Sequence, residues 1–476
     1  MPDYPVLENP FRVRMTPAAC AADLGDGSER GEYVDQDYIL RLLGRPHRSI
    51  NLMYCYYPLD KGWPVRASKA FPPTANFAWA YPYDDYFPYG GGPAGSPQNE
   101  PFGQMRDIRR HGQDITLTLT MDCKTPDTDL KWIARELKPY GPLHLRINHE
   151  CDGDWFAFNK RSDRKTIAAF FIKFNGILKE IAPAIRTVCC FGTIEGGDGK
   201  LKHIDDLGPM LDHADIWSMD RYLSLHYAWP FNVCERDQLG KGYVNWGVDH
   251  VWKEMFAVYA EFVRRTGREK SLEICELNAD GDVEGAEKQS ELMYRFYDRV
   301  RTQAPGFLKA ITCYQFRDRG RLGLEKEDPN NPAVGIPQPF LARYKELIRD
   351  PYFNPGEDWK PLGKADPLGM EWRAADDSDG LGWEVRLTGR PIFLDLLFQK
   401  EANLVVRAGA EWFYKRPGTE WVDATTAVAG FTGPGEITVA VFAPPADGIN
   451  EKSTSVRFQL LAPPRVRIRY PWGQDG

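Results

Sequence analysis

Two glutamates stand where apolar runs end. Glu150 follows "LHLRIN" (143–148) directly after His149, and Glu276 lies in "SLEICELN" (271–278). Core strands have no use for charged residues at their ends, whereas an active site built on strand ends does. Other such runs end in Asp122, in Asp220, Arg221 and Tyr222, and in Tyr314, Gln315, Arg317 and Asp318. Two carboxyl groups on separate strands, among aromatic residues and few bases, suit cleavage of a glycosidic bond. One carboxyl protonates the leaving oxygen, and the other attacks the anomeric carbon or activates a water. Glu273 competes with Glu276 for the second role. Period-two alternation is expected to put them on opposite faces of the strand, and Glu276 is nearer its C-terminal end, which favours Glu276.

These residues need a scaffold. From about residue 48 to 350, short β-rich runs alternate with amphipathic helices. Strands are expected at 49–58, 114–122, 143–148, 187–194, 215–222, 271–278 and 309–318. Leu130, Ile133, Ala134 and Leu137 mark one helical face, and Ile167, Phe170, Phe171, Phe174, Leu178 and Ile181 another. Apolar strands alternating with helices mean a parallel sheet covered by helices. The α/β fold expected is a (β/α)8 TIM barrel, with an open doubly wound sheet as the alternative. Closure needs an eighth strand, expected within 70–90 at "NFAWAYP". Residues 1–45 are expected as an extension packing on the barrel, 46–350 as the barrel and 351–366 as a Pro- and Gly-rich linker. Residues 367–476 carry only short β-prone runs and are expected to form an all-β sandwich.

The totals exclude several classes. Among 476 residues, 42% are hydrophobic and the net charge of −7 is spread along the chain. No basic stripe points to nucleic acid, and no run approaches the roughly 18 apolar residues of a membrane span. The nine cysteines include no CxxC pair, so neither a zinc knuckle nor a redox dithiol is indicated. Most lie in apolar runs and read as small buried hydrophobes. With no signal-peptide core in "MPDYPVLENPFRVRM" and no glycosylation sequon, a cytoplasmic location is favoured, or secretion if a leader was removed. His149, Cys151, Asp152 and Asp154 form no HExxH, so no metal and no organic cofactor is expected. "GGGPAG" (90–95) follows no strand and reads as a loop tip, not a dinucleotide fingerprint. The aromatic stretch 77–92 and the loop holding Trp229, Tyr243 and Trp246 fit either a sugar-stacking wall or loops packed on the barrel.

"LKPYGPLHLRINHECDGDWFAF" resembles the signature of glycoside hydrolase family 26. There, Arg-x-x-His-Glu follows the fourth strand and leads to Gly-x-Trp-aromatic. "DIRRHGQDITLTLTMD" resembles that family's approach to its third strand, "HADIWSMDRY" its sixth and "SLEICELN" its seventh. The matches run in order from about 112 to 316. The resemblance implies a clan A retaining hydrolase of β-linked polysaccharide or oligosaccharide, with Glu150 as general acid/base and Glu276 as nucleophile. It implies Arg146 and His149 as supporting polar groups, Tyr222 as a hydrogen-bond donor to the nucleophile and Trp155 as a sugar-stacking ring. Tyr314 and Trp246 complete the candidate substrate contacts. Cys151 and Asp152 replace the family's Met-Asn, Leu277 and Asn278 its Phe-Gly, and Tyr314 and Phe316 stand where Trp is common. Those positions shape the sugar pocket, so the resemblance carries mechanism rather than substrate. A glucanase- or xylosidase-like activity and a non-catalytic glycan-binding protein are the alternatives.

Overall fold

A computed structural model describes chiefly residues 18–25, 33–63, 86–226, 243–354 and 381–442, with breaks of up to four residues, and strands at 6–7, 370–374, 456–460 and 465–469. Eight parallel strands close into a barrel: β1 (Ala21–Gly25), β2 (Ser49–Tyr56), β3 (Asp114–Met121), β4 (His144–Ile147), β5 (Arg186–Phe191), β6 (Ile216–His226), β7 (Leu272–Ala279) and β8 (Leu308–Cys313). Each pairs with the next, and β8 pairs with β1. Helices follow them: α1 (Gln36–Leu43), α2 (Phe102–Arg110), α3 (Asp127–Leu137), α4 (Arg164–Ile181), the short α5 (Pro209–His213), α6 (Gly247–Thr266), α7 (Ala286–Gln303) and α8 (Pro339–Leu347). The strands are buried on both faces, which is why they read as continuous apolar runs. The apolar faces read on α3 and α4 turn to the core, with Ile181 at its edge. Among the described residues no helix is long and apolar enough to cross a membrane.

The eighth strand differs from expectation. "NFAWAYP" lies outside the described residues, and β1 fills the gap between β8 and β2. Its sequence, AADLG, is five residues long with no β-branched side chain, so neither propensity nor alternation marks it. Asp35 caps α1 by accepting the Tyr38 N–H at 2.8 Å, and Gly44 ends it in the left-handed conformation. The stretch 1–45 therefore holds the first strand–helix unit of the barrel, not an extension. Its start also joins the other domain, since Val6–Leu7 pair in parallel with Glu384 and Val385.

Beyond the barrel, a five-stranded sheet built on Leu381–Leu387, Gly435–Phe442, Leu404–Ala408 and Glu411–Lys415 faces a three-stranded one of Trp421–Asp423, Phe393–Leu397 and Arg465–Arg469. Val385, Val406 and Val439 from one sheet meet Leu394, Leu396 and Ile468 from the other in a single apolar core, a β-sandwich. Arg106 of α2 pairs with Asp423 across the domain contact at 3.4 Å.

Ion pairs fill the N-terminal end of the barrel. Arg48, just before β2, binds Asp23 of β1 through Nε and Nη2, and its Nη2 lies 3.1 Å from Glu273 Oε1 on β7. Glu273 Oε2 is 3.8 Å from His144 Nδ1 on β4. Strands β4 and β7 are not neighbours, so side chains that meet between them point into the barrel. Glu276 also reaches a β4 side chain, Arg146, at 3.8 Å. The two glutamates thus share the inner face, against the alternation argument. A bulge resets the alternation at Cys275: Met219 is opposite Ile274, but Asp220 is opposite Glu276. Removing Arg48 leaves two buried carboxylates without their cation. Arg48→Ala is expected to lower unfolding free energy by about 3 kcal/mol or more, measured by urea titration. A loss below about 1 kcal/mol, as at a surface pair, would contradict this.

Candidate active site

The C-terminal end of β4 sets the site's geometry. Arg146 points inward and is fully buried. Asn148 (φ 54°) and Glu150 (φ 48°) then take left-handed conformations on either side of His149. Asn tolerates this region, but Glu pays about 1–2 kcal/mol for it. The turn is held by backbone and side-chain contacts. The Asn148 N–H still donates to Leu119 O (3.2 Å), and its Oδ1 accepts the Met121 N–H (2.7 Å). The Cys151 N–H reaches Cys190 O on β5 at 3.1 Å, and the Gly153 N–H closes on Glu150 O at 2.9 Å. The result turns His149 and Glu150 together into the barrel mouth. Gly192, just past β5, makes room for the carboxylate: a Cβ there would stand 2.2 Å from Glu150 Oε1.

Glu276 arrives from β7 across the mouth. Its Oε2 accepts the Tyr222 hydroxyl at 2.8 Å, and its Oε1 lies 3.0 Å from His149 Nε2. The same nitrogen is 3.1 Å from Asp220 Oδ2 and 3.9 Å from Glu150 Oε2. The nearest oxygens of Glu150 and Glu276 are therefore at most about 7 Å apart, a span that admits the roughly 5–5.5 Å of a retaining pair. On the far side of the ring, Arg146 Nη1 is 3.0 Å from Nδ1. Nε2 is the ring nitrogen that faces the carboxylates and donates to them.

This arrangement separates the two glutamates. Burial pushes Glu150 up to about 8, with Asp220 and Glu276 adding to the rise and His149 opposing it. Burial would raise Glu276 as well, but His149, Arg146 and the Tyr222 hydroxyl outweigh it and hold Glu276 below the usual carboxylate range. Asp220 is pushed up to about 6 by burial, against the pull of His149. For His149 burial works the other way, yet Glu276, Asp220 and Glu150 raise it to about 9. At neutral pH, Glu150 carries its proton and Glu276 is charged. Such a pair of carboxyls with opposite shifts can serve as acid and nucleophile.

The remaining candidates fall into two groups. Tyr222 and Tyr314 meet edge to face, with centroids 5.9 Å apart, beside Glu276. Trp155, read as a stacking ring, donates its indole N–H to Glu150 Oε2 at 2.7 Å and is half-buried against Phe156. Trp246 stands apart from this cluster. Its ring stacks on the Arg221 guanidinium (4.1 Å), which Glu254 of α6 grips at 2.7 and 2.9 Å. Residues 64–85 and 227–242, with most of the long loops, lie outside the described residues. Of the aromatic stretch 77–92, Tyr86 and Tyr89 are buried. Tyr86 packs near His149 and Phe156, and Tyr89 against Phe102.

Cysteine and acid neighbours sort differently from their order in sequence. Cys151 donates to Asn148 O (2.8 Å), Asp152 accepts the Gly192 N–H (2.8 Å), and Asp154 pairs with Arg164 and Lys202. These do not converge on His149. Cys190 and Asp220 do; Asp220 stands among the strand-end residues read from the sequence but with no role given to it, and Cys190 does not. Asp220 is two residues before Tyr222, hence on the same strand face, which was the available signal. Nothing in the sequence distinguishes Cys190 from the other eight cysteines. All eight described cysteines are buried.

No protein-family model and no curated protein matches the chain. Solved structures similar to it include a family 26 β-mannanase from Bacteroides ovatus. It is 10% identical, covering 70% of this chain and 89% of that one, with a TM-score of 0.42. An α-L-arabinofuranosidase from Thermotoga maritima is 11% identical over 98% and 99% of the two chains, with a TM-score of 0.45. A family 39 glycoside hydrolase from Bacteroides cellulosilyticus is 12% identical over 89% and 81%, with a TM-score of 0.42.

The crowding at Gly192 gives a direct test of the site. Gly192→Ala is expected to displace the Glu150 carboxyl and lower turnover about a hundredfold while leaving the unfolding midpoint nearly unchanged. Wild-type turnover in this variant would show that Glu150 does not need the space.

Proposed function

We propose that the chain is a retaining glycoside hydrolase acting on a β-linked glycan. The observation that carries this is the shared imidazole. Glu150 and Glu276 reach one nitrogen from strands β4 and β7, and their environments drive their proton affinities apart. Glu150, protonated at neutral pH, gives its proton to the leaving oxygen. Glu276 attacks the anomeric carbon, and a glycosyl ester forms on its carboxylate. Glu150, now ionised, takes a proton from the incoming water, which opens the ester and releases the sugar with its original configuration. Tyr222 and His149 each grip one Glu276 oxygen, which fixes the carboxylate for attack. Trp155 fixes the Glu150 carboxyl in the same way. All of these act through the chain's own side chains.

The test is sugar release from a panel of β-glycans and aryl β-glycosides, by wild type, Glu150→Ala and Glu276→Ala. Wild type is expected to cleave at least one substrate with retention. Glu276→Ala is expected to lose at least about 10⁴-fold in kcat, and added azide should restore a product of inverted configuration. Undiminished turnover by Glu276→Ala would overturn the assignment, and a wild-type product of inverted configuration would overturn the double displacement.

A further inference from the structure

We propose that His149, Cys190 and Asp220 form a binding site for a thiophilic divalent cation, zinc foremost, and that its occupation switches the neighbouring Glu276 off. The metal site rests on the geometry alone; only its effect on turnover rests on the hydrolase reading.

Three donor atoms, one nitrogen, one sulfur and one oxygen, lie within 4.8 Å of one another on three different strand ends. Cys190 Sγ is 3.1 Å from Asp220 Oδ2 and 3.6 Å from His149 Nδ1, and His149 Nε2 is 3.1 Å from Asp220 Oδ2. All three residues are buried. In a tetrahedral zinc site, bond lengths of about 2.0–2.3 Å put neighbouring donors about 3.3–3.8 Å apart. The contacts that His149 Nε2 and Cys190 Sγ make with Asp220 Oδ2, each 3.1 Å, need to spread by only a few tenths of an ångström. One buried oxygen beside them, Asp220 Oδ1, lacks a hydrogen-bond partner among the described residues. Glu276 Oε1, already 3.0 Å from His149 Nε2, is placed as the fourth ligand.

Charge also favours the ion. With the thiol deprotonated, Cys190, Asp220 and Glu276 supply three negative charges, and the dication with the adjacent Arg146 guanidinium supplies three positive ones. Binding releases the Cys190 Sγ proton and the His149 Nε2 proton to water. A mixed N, S, O set selects zinc or cobalt over magnesium and calcium, which prefer oxygen alone. A cation held there occupies the Nε2 position and ties up the Glu276 oxygen, so Glu276 no longer attacks carbon.

Cobalt titration of the full chain tests this without reference to catalysis. Cobalt bound to a thiolate gives a near-ultraviolet charge-transfer band. The band is expected to rise to saturation in wild type and to be displaced by zinc. It should persist in Cys189→Ala, because that neighbouring sulfur turns the other way, toward Ile216 O. It should vanish in Cys190→Ser. Asp220→Asn, a second variant should Cys190→Ser misfold, is expected to weaken cobalt binding at least about tenfold. No band in wild type, or a band that survives Cys190→Ser, would overturn the site. Where turnover is measured, zinc should abolish it and a chelator restore it; turnover unaffected by saturating zinc would overturn the switch. A band with no hydrolysis of any glycan would leave the metal site standing and remove the hydrolase reading. Hydrolysis with no band would do the reverse.

Discussion

His149 Nε2 faces three carboxyl groups in a space almost closed to water, and the rest of the site depends on that contact. At 3.0–3.9 Å from each, the ring stabilises negative charge on whichever carboxyl lies nearest. Glu276 lies nearest and also receives Tyr222 and the Arg146 field, so it stays ionised. Glu150 lies farthest, and burial dominates, so it keeps its proton. The same chemical group thus takes two states within one cleft. The difference comes from the donors around each carboxyl, not from the side chains themselves.

The fold is arranged to maintain these distances. Left-handed residues on both sides of His149 turn it and Glu150 inward together, and Gly192 leaves the acid its space. On the opposite wall the bulge at Cys275 brings Glu276 to the inner face at the level of Asp220. Without that extra residue, alternation would carry Glu276 outward into the helices. Below the pair, the Asp23–Arg48–Glu273 network plugs the N-terminal end of the barrel. One guanidinium there serves two buried carboxylates.

Much of this was legible in the sequence. Continuous apolar runs separated by amphipathic helices gave seven strands and the barrel, because burial on both faces leaves a plain hydrophobic signature. The shortest strand escaped, since AADLG has neither β-branched residues nor alternation. Glu276 was favoured over Glu273 partly through a facing argument that a bulge overturns, and no local pattern announces that bulge. Position along the strand marks Glu276 regardless of the bulge. Trp155 is legible as an aromatic ring, but its indole N–H bond to Glu150 is not, because a sequence does not show where an N–H points. Cys190 and Asp220 join His149 from separate strands, a meeting that only the closed barrel produces.

The central claim is that Glu150 stays protonated beside an ionised Glu276. The most direct measurement is a carbon-13 NMR titration of the chain labelled at its glutamate carboxyls, with Glu150→Gln to assign the resonance. The account predicts that the resonance missing from Glu150→Gln titrates near pH 8. If that resonance titrates near the ordinary glutamate value of 4.5, the two carboxyls are not held apart and the account is contradicted.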